Sequence, residues 1–336
     1  MSFFIFSYHS VKIVVFRFFN YYNKNISNTV KKAKEAHALP RKKVNTAPKL
    51  CILMRNEHFF TSTDYEYAII NEFQFMAASW KYNVSLIFIT DTDMAETDYD
   101  TYMQSGHYIG AFFIGFSEKD IWVTQLENTS FPTVLLDCLA PAGPYVTCIG
   151  SDYILGMDLA VSHLAALGHT KIAFINDSEN MAVNSYRKEG YLCGLKKNGL
   201  TFSRKLYFSL SENRNALPAP FSGYIKPAVT KIVKAGATAI ICGSDTIASA
   251  VMDGCRALGC QIPQDISIIG CHSLSLCERL NPPLTSIDVE RAALGYFAFT
   301  SLRELFRGMP LQSVKLRPRL SLRKSTAAPC RDNTIL

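Results

Sequence analysis

Residues 150–176 read GSDYILGMDLAVSHLAALGHTKIAFIN. Within this stretch Ile154, Met157, Ala160, Val161 and Leu164 recur at intervals of three and four. That is the period of a helix with one apolar face, and it predicts a helix over 153–167. Gly168 and His169 then read as a turn. Lys171–Asn176 (KIAFIN) follows as a short, nearly continuous apolar run, the pattern of a parallel strand buried on both faces.

The same alternation extends outward in both directions from Lys49 onward. Strand-like runs stand at 50–54 (LCILM), 84–90, 110–116 (GAFFIGF), 133–137 (TVLLD), 237–244 (ATAIICGS) and 266–271 (ISIIGC). Helical spacing appears at 63–80, with Tyr65, Ala68, Ile69, Phe73 and Met76, and at 245–258, with Ile247, Val251 and Cys255. Repeated strand–helix units predict doubly wound parallel sheets with right-handed crossovers. More than ten elements exceed one small sheet, so two lobes are expected. In such sheets ligands bind beyond the carboxyl ends of the strands. The polar residues there are Arg55, Asn56, Asp137, Asp177, Ser244, Asp245, His272 and Ser273. Any one of them is more simply a helix cap or turn former, since Ser and Asp are favoured there anyway. As a set at one strand end they point to a binding site.

Charge is unevenly distributed. Residues 1–49 hold ten Lys/Arg and one acid, Glu35, for a net +9, while the remainder nets −2 with 25 basic and 27 acidic residues. A basic arm on a near-neutral body is an electrostatic footprint for a polyanion, usually nucleic acid; the plainer reading is a solvated leader. The first 22 residues are apolar and aromatic but are broken by His9, Lys12 and Arg17, with no small-residue cleavage site after them. Neither a signal peptide nor a spanning helix is expected.

The ten cysteines include no CxxC pair. Cys51, Cys148, Cys242 and Cys271 fall in or at the ends of strand-like runs, where a free thiol acts as a small hydrophobe. That usage suits a reduced, cytoplasmic chain. The sequence has no GxGxxG, no phosphate-binding GxxxxGK[ST], no GxSxG and no HExxH, and its seven histidines do not cluster. Cys271 and His272 are neighbours on a strand and point to opposite faces, so they do not make a nucleophile and base. An enzyme is not expected, nor a metal or cofactor.

Several motifs now stand in order. They are the 150–176 stretch with its L-G-H turn, Arg187-Lys188-Glu189-Gly190-Tyr191, IICGSDTIASAV at 240–251, and GCQIPQDISIIG at 259–270. Pro282-Pro283-Leu284-Thr285-Ser286-Ile287, Leu294-Gly295 and the closing Arg323-Lys324-Ser325-Thr326 follow. Together they resemble the LacI/GalR transcription regulators over about 280 residues, which is far more specific than any lone motif. The resemblance implies an α/β fold of two Rossmann-like lobes, of the type I periplasmic-binding-protein kind, joined by three crossovers. It implies residues 48–149 with about 289–318 in one lobe and 150–288 with about 319–330 in the other. A homodimer and a small-molecule effector between the lobes, a sugar or related metabolite, are also implied.

Carried over by position, Asp137 corresponds to a ligand-contacting Asp and Arg187 to an Arg that clamps the ligand. Ser244 takes a position that is often a ligand-bonding Asn, and Asp245 reads as a cap for the helix after it. Arg55 and Asn56 complete the expected effector set. One departure stands out: after Ile-Ile-Gly270 the family has an aromatic residue and then Asp, whereas here Cys271-His272-Ser273 follow. A neutral His can donate one bond and accept one, where a carboxylate only accepts.

The family's head is a helix-turn-helix, whose second helix enters the major groove. Residues 14–20 (VVFRFFN) resemble its T-V-S-R-[VFY]-L-N, with Val15, Arg17, Phe18 and Asn20 in place. The preceding D-[IV]-A-x-x-A-G-V-S is not visible, and the hinge lacks A-R-x-L. Asn25–Thr29 resembles the start of the third helix, with Ser27 as N-cap. Residues 1–47 therefore read as a degenerate, mainly helical head, in which Arg17, Asn20, Lys24, Ser27, Lys31, Arg41, Lys42 and Lys43 would meet operator DNA. The expected function is a DNA-binding regulator, most simply a repressor. The alternatives are an effector core that has lost DNA binding, or a periplasmic-type solute receptor.

Overall fold

A computed structural model of the chain describes residues 47–55, 64–139, 143–177, 182–210 and 222–330. Asn56 and every residue expected to meet DNA lie outside these described residues.

The first half of the core runs β1 (Lys49–Met54), α1 (Tyr65–Ser79), β2 (Asn83–Phe88), α2 (Asp91–Glu96) and α3 (Tyr99–Ser105). It continues with β3 (Tyr108–Ile114), α4 (Ile121–Gln125), β4 (Thr133–Leu136) and β5 (Val146–Ser151). The chain then crosses to a second set: α5 (Tyr153–Ala166), β6 (Ile172–Asn176), α6 (Ala182–Lys197), β7 (Tyr207–Ser209) and α7 (Ser222–Lys234). That set is completed by β8 (Ala239–Cys242), α8 (Asp245–Ala257), β9 (Ser267–Cys271), α9 (Leu276–Arg279) and β10 (Thr285–Asp288). Finally α10 (Arg291–Phe306), β11 (Val314–Leu316) and β12 (Arg319–Ser321) close the fold.

Two six-stranded sheets result, ordered β11-β5-β4-β3-β1-β2 and β12-β10-β9-β8-β6-β7. All neighbours are parallel except β12, which runs antiparallel to β10. The chain passes between the sheets three times: β5 to α5, β10 to α10, and β11 to β12. The fold is the two-lobed α/β architecture that the strand–helix alternation predicts.

Parallel sheets need cover on both faces, and β1 shows how the sequence provides it. Leu50, Ile52 and Met54 enter the cluster that α1 and α10 cover, with Phe73, Leu294 and Phe299. Cys51 and Leu53 point the other way, among Tyr99, Met103, Phe113 and Trp122. In the second sheet Ala173 and Ile175 of β6 face the α7–α8 side, while Ile172 and Phe174 face α5 and α6. Each such Leu, Ile or Phe contributes roughly 1.5–3 kcal/mol on leaving water. Helices α5 and α6 pack closely because Gly190 has no side chain: a Cβ there would lie 2.7 Å from Ile154 Cα and closer still to its carbonyl oxygen.

The C-terminal segment is stitched to the second sheet through side chains. Ser325 Oγ donates to Ile268 O at 2.6 Å and accepts from Thr285 N at 2.8 Å. His169 bridges Thr238 Oγ1 and Ala327 O, both at 2.8 Å, and His163 Nε2 meets Thr326 Oγ1 at 3.1 Å. The L-G-H turn and the R-K-S-T ending are therefore two sides of one structural seam.

Candidate effector cleft

Asp137 is the first residue beyond β4 and has a positive φ of 53°. Its carboxylate lies back over β5, where a Cβ on Gly150 would come within 2.5 Å of Oδ1. Glycine is required there by close approach. Tyr65 and Tyr153 both donate to Asp137 Oδ2, at 2.8 and 2.9 Å, and Ser151 N donates to Oδ1 at 3.2 Å. The two phenol oxygens are 3.2 Å apart. Burial pushes the Asp137 carboxyl above the usual range, against the pull of both tyrosine hydrogen bonds and the field of Arg187. Both phenols sit well above their ordinary value, burial being the main cause, so they act as donors.

The opposite wall comes from the second sheet and α6. Arg187 exposes only 5% of its surface. Its Nη1 donates to Asn184 Oδ1 and its Nη2 to His272 Nε2, each at 2.7 Å. The guanidinium carbon lies 4.5 Å from the Tyr153 ring centre, in cation–π range. Arginine has no acceptor, so His272 Nε2 must accept, and the ring is neutral with its proton on Nδ1. Burial first, then Arg187 and Arg291, hold the imidazole well below its ordinary pKa. The Tyr65 ring lies 4.4 Å from that of His272, closing the two walls on each other. Asp137, His272 and Ser273 are three of the six non-glycine residues with positive φ among the described residues. Backbone strain is thus concentrated at this cleft.

The structure brings Asp137, Arg187 and His272 together, as expected, but not Arg55. Arg55 binds Asp91 Oδ1 at 2.5 Å, Ile89 O at 3.1 Å and Asp120 Oδ1 at 3.5 Å, tying together the loops after β2 and β3. Its charge is committed within the first lobe. Neither Ser244 nor Asp245 takes the role the sequence suggests. Ser244 is the N-cap of α8, accepting from Ile247 N at 3.2 Å. Asp245 is not the cap. It is fully buried, accepts from Leu274 N at 2.7 Å and from Ser286 Oγ at 2.6 Å, and pins the loop that carries His272. Burial raises its carboxyl to about 6. A Cβ on Gly270 would overlap that carboxylate.

Four cleft residues escape the sequence reading: Tyr65, Tyr153, Asn176 and Asn184. The tyrosines are the first residues of α1 and α5, and a hydroxyl-bearing aromatic at a helix start beside a strand end is the signal that was available. Asn176 ends β6 and donates to Asn184 O at 2.8 Å, while its Oδ1 finds no partner among the described residues. A cavity of about 120 Å³ opens beside Asp137, lined among others by Cys138, Cys148, Tyr153, Tyr186 and Lys315. No group of three metal-binding side chains occurs among the described residues. The Cys271 thiol, beside the guanidinium, is pushed by burial to about 12. The cleft offers fixed donors and acceptors, with no activated nucleophile.

A family profile described as a periplasmic binding protein-like domain matches residues 161–326. The chain is 29% identical over 184 residues to the NTD biosynthesis operon regulator NtdR of Bacillus subtilis, covering 54% of each chain. It is 29% identical over 190 residues to the ribose operon repressor of Escherichia coli, covering 55% of this chain and 54% of that one. The chain thus spans about half the length of these curated relatives. Among solved structures, the transcriptional regulator CelR–cellobiose complex superposes with a TM-score of 0.72 at 19% identity, covering 89% of this chain and 90% of that one. The lac repressor dimer bound to operator and the anti-inducer ONPF gives 0.70 at 18% identity, covering 87% and 100%. From Ala47 onward the chain thus has the two-lobed fold of these solved regulators, its residues 161–326 match a periplasmic binding protein-like domain, and its sequence is similar to regulators of the LacI/GalR kind.

Proposed function

We propose that the protein is a DNA-binding transcription regulator, most simply a repressor, whose operator affinity is set by a small molecule held between its two lobes. One observation carries the reading. Tyr65 and Asp137 from the first lobe and Tyr153, Arg187 and His272 from the second converge at the carboxyl ends of both sheets. A ligand that touches both walls stabilises one lobe arrangement over another by its differential affinity, which is the requirement for an allosteric switch. The relatives support the output side, since both curated regulators named above act on operons.

The basic segment 1–49 supplies the charge for DNA, with Arg17, Asn20, Lys24, Ser27, Lys31, Arg41, Lys42 and Lys43 as the contacts. A homodimer is the natural assembly. Phe75 on α1, Trp80 just beyond its end, Phe88 on β2 and Phe297 on α10 expose large apolar surface and suit a second copy. The protein is read as a binder rather than an enzyme, acting in the cytoplasm; among the described residues no helix is long and apolar enough to cross a membrane.

The test is operator binding by the full chain across a salt series, with and without candidate effectors. Phosphate contacts give a steep negative dependence of affinity on salt. Absence of any gel shift at low salt would remove DNA binding from the reading and leave the effector core alone.

A further inference from the structure

Arg187 is a buried cation with no anion in direct contact among the described residues; Asp137 reaches it only through its field. Among the described residues no carboxylate oxygen comes within 4.0 Å of its guanidinium; its two terminal nitrogens go to an amide oxygen and a neutral imidazole. Its Nε is buried and finds no hydrogen-bond partner among the described residues. Withholding a counter-ion from a desolvated guanidinium is costly, and protein interiors normally supply one.

The nearby acids are already committed. Asp137 takes three donors, two of them tyrosines. Glu66, in the first turn of α1, is held above the usual carboxylate range by burial and lies in the fields of Asp64, Asp137 and Arg291. Asp245 is spent on Leu274 N and Ser286 Oγ. Meanwhile the position where the resembling family carries an Asp holds His272, which adds no negative charge. The second orphan is an acceptor: Asn176 Oδ1, whose own Nδ2 binds Asn184 O, on the same asparagine whose side chain receives Arg187.

We propose that the effector is a small hydroxylated acid, its carboxylate or phosphate seated on the Nε edge of Arg187 and a hydroxyl donating to Asn176 Oδ1. The proposal rests on the effector-core reading above and names its ligand class. Ion pairs between arginine and an oxyanion are charge-assisted and among the stronger hydrogen bonds, and the planar guanidinium fits both anions. Such a ligand supplies the counter-charge that the chain omits. In this cleft His272 replaces a carboxylate that would otherwise pair with Arg187 and repel an acid.

Calorimetry and thermal-shift assays on the full chain test the idea with matched pairs: glucuronate against glucose, glucose 6-phosphate against glucose, and gluconate against sorbitol, with inorganic phosphate alone as a further arm. At least one acid is expected to bind about tenfold or more tightly than its neutral parent, a difference of ~1.4 kcal/mol. The carboxylate and phosphate arms decide which anion is preferred. His272→Asp, which returns a carboxylate to Arg187, is expected to lose at least about tenfold in acid affinity while keeping or gaining the neutral parent. Its short side chain suits the positive φ of 100° at that position, so this variant keeps the test open where Arg187→Met fails to fold.

A neutral sugar binding as tightly as its acid would overturn the proposal, and if that binding is lost in Arg187→Met the effector-core reading itself still stands. Acid binding unchanged in both variants would overturn it by placing the anion elsewhere. Failure of every acid to bind up to about 10 mM would overturn it as well.

Discussion

Replacing Asp245 by Asn gives a prediction with a magnitude. In the native protein this fully buried carboxylate receives Leu274 N and Ser286 Oγ, and burial raises its pKa from 3.8 to about 6. Asn keeps an acceptor for Leu274 N, and its amide can donate to the Ser286 hydroxyl, which also accepts. The fold is therefore retained, and what changes is the pH dependence. Between 3.8 and about 6 the folded state holds more protons at this site than the unfolded chain does, so stability falls as pH rises through that window. One pKa unit corresponds to about 1.4 kcal/mol, so the contribution present at pH 4.5 and absent at pH 7.5 is about 2 kcal/mol. Urea unfolding of wild type and Asp245→Asn at about pH 4.5, 5.5, 6.5 and 7.5 measures it. The wild type's advantage over Asn should shrink by about 2 kcal/mol from the lowest pH to the highest. A difference that stays flat across the series would refute the reasoning, because it would mean the carboxylate ionises alike in the folded and unfolded states.

Other outcomes follow from the same geometry. His272→Gln removes a ring whose folded pKa lies well below its ordinary 6.5; the unfolded chain takes up more protons there below about that pH. Wild type should lose stability relative to Gln as pH falls below about 6.5, by at most ~1.4 kcal/mol per unit, and above it the two curves should run parallel. Gly190→Ala should cost about 1–3 kcal/mol in a chemical melt despite Ala's better helix propensity, since its Cβ would press on Ile154's backbone; a gain in stability would show that α5 and α6 can part freely. Tyr153→Phe removes one of three donors to Asp137, and should destabilise the protein by roughly 1.5–3 kcal/mol near neutral pH and less in acid, where a protonated carboxyl needs fewer donors. An equal loss at both pH values would argue that Asp137 is already protonated at neutrality.

The sheets were legible because parallel strands buried on both faces need unbroken apolar runs. LCILM, KIAFIN and ISIIG announce themselves in this way, and the helices over 153–167 and 245–258 end within a residue of their observed bounds. Strand β10 was not legible: Thr285 and Ser286 are buried, but as hydrogen-bonding polar residues they hide the strand from any hydrophobic pattern. Strands β7, β11 and β12 are three residues each, too short for a period to show. Within the cleft, the strand-end rule found Asp137 and His272, while the family resemblance found Arg187. It erred by one residue at Ser244 and Asp245, where cap and buried anchor are adjacent and chemically alike. It passed over Tyr65 and Tyr153 because apolar spacing counts a tyrosine as core and ignores its hydroxyl. Asn176 was missed in favour of Asp177 for a similar reason, since the alternation of a strand decides which of two neighbours turns inward.

The close, tilted contact of the Tyr65 ring with His272, with the Tyr65 hydroxyl on Asp137, has a consequence in time. If a small molecule reaches Arg187 past that contact, the contact has to break first, and encounter and entry become separate events. At low ligand concentration the observed association rate should rise linearly; at high concentration it should level off at the frequency with which Tyr65 leaves its place. The apparent affinity is then diluted by the fraction of time the doorway stands open. Occupancy would be set by how often this one ring lets go, as much as by how well the ligand fits behind it.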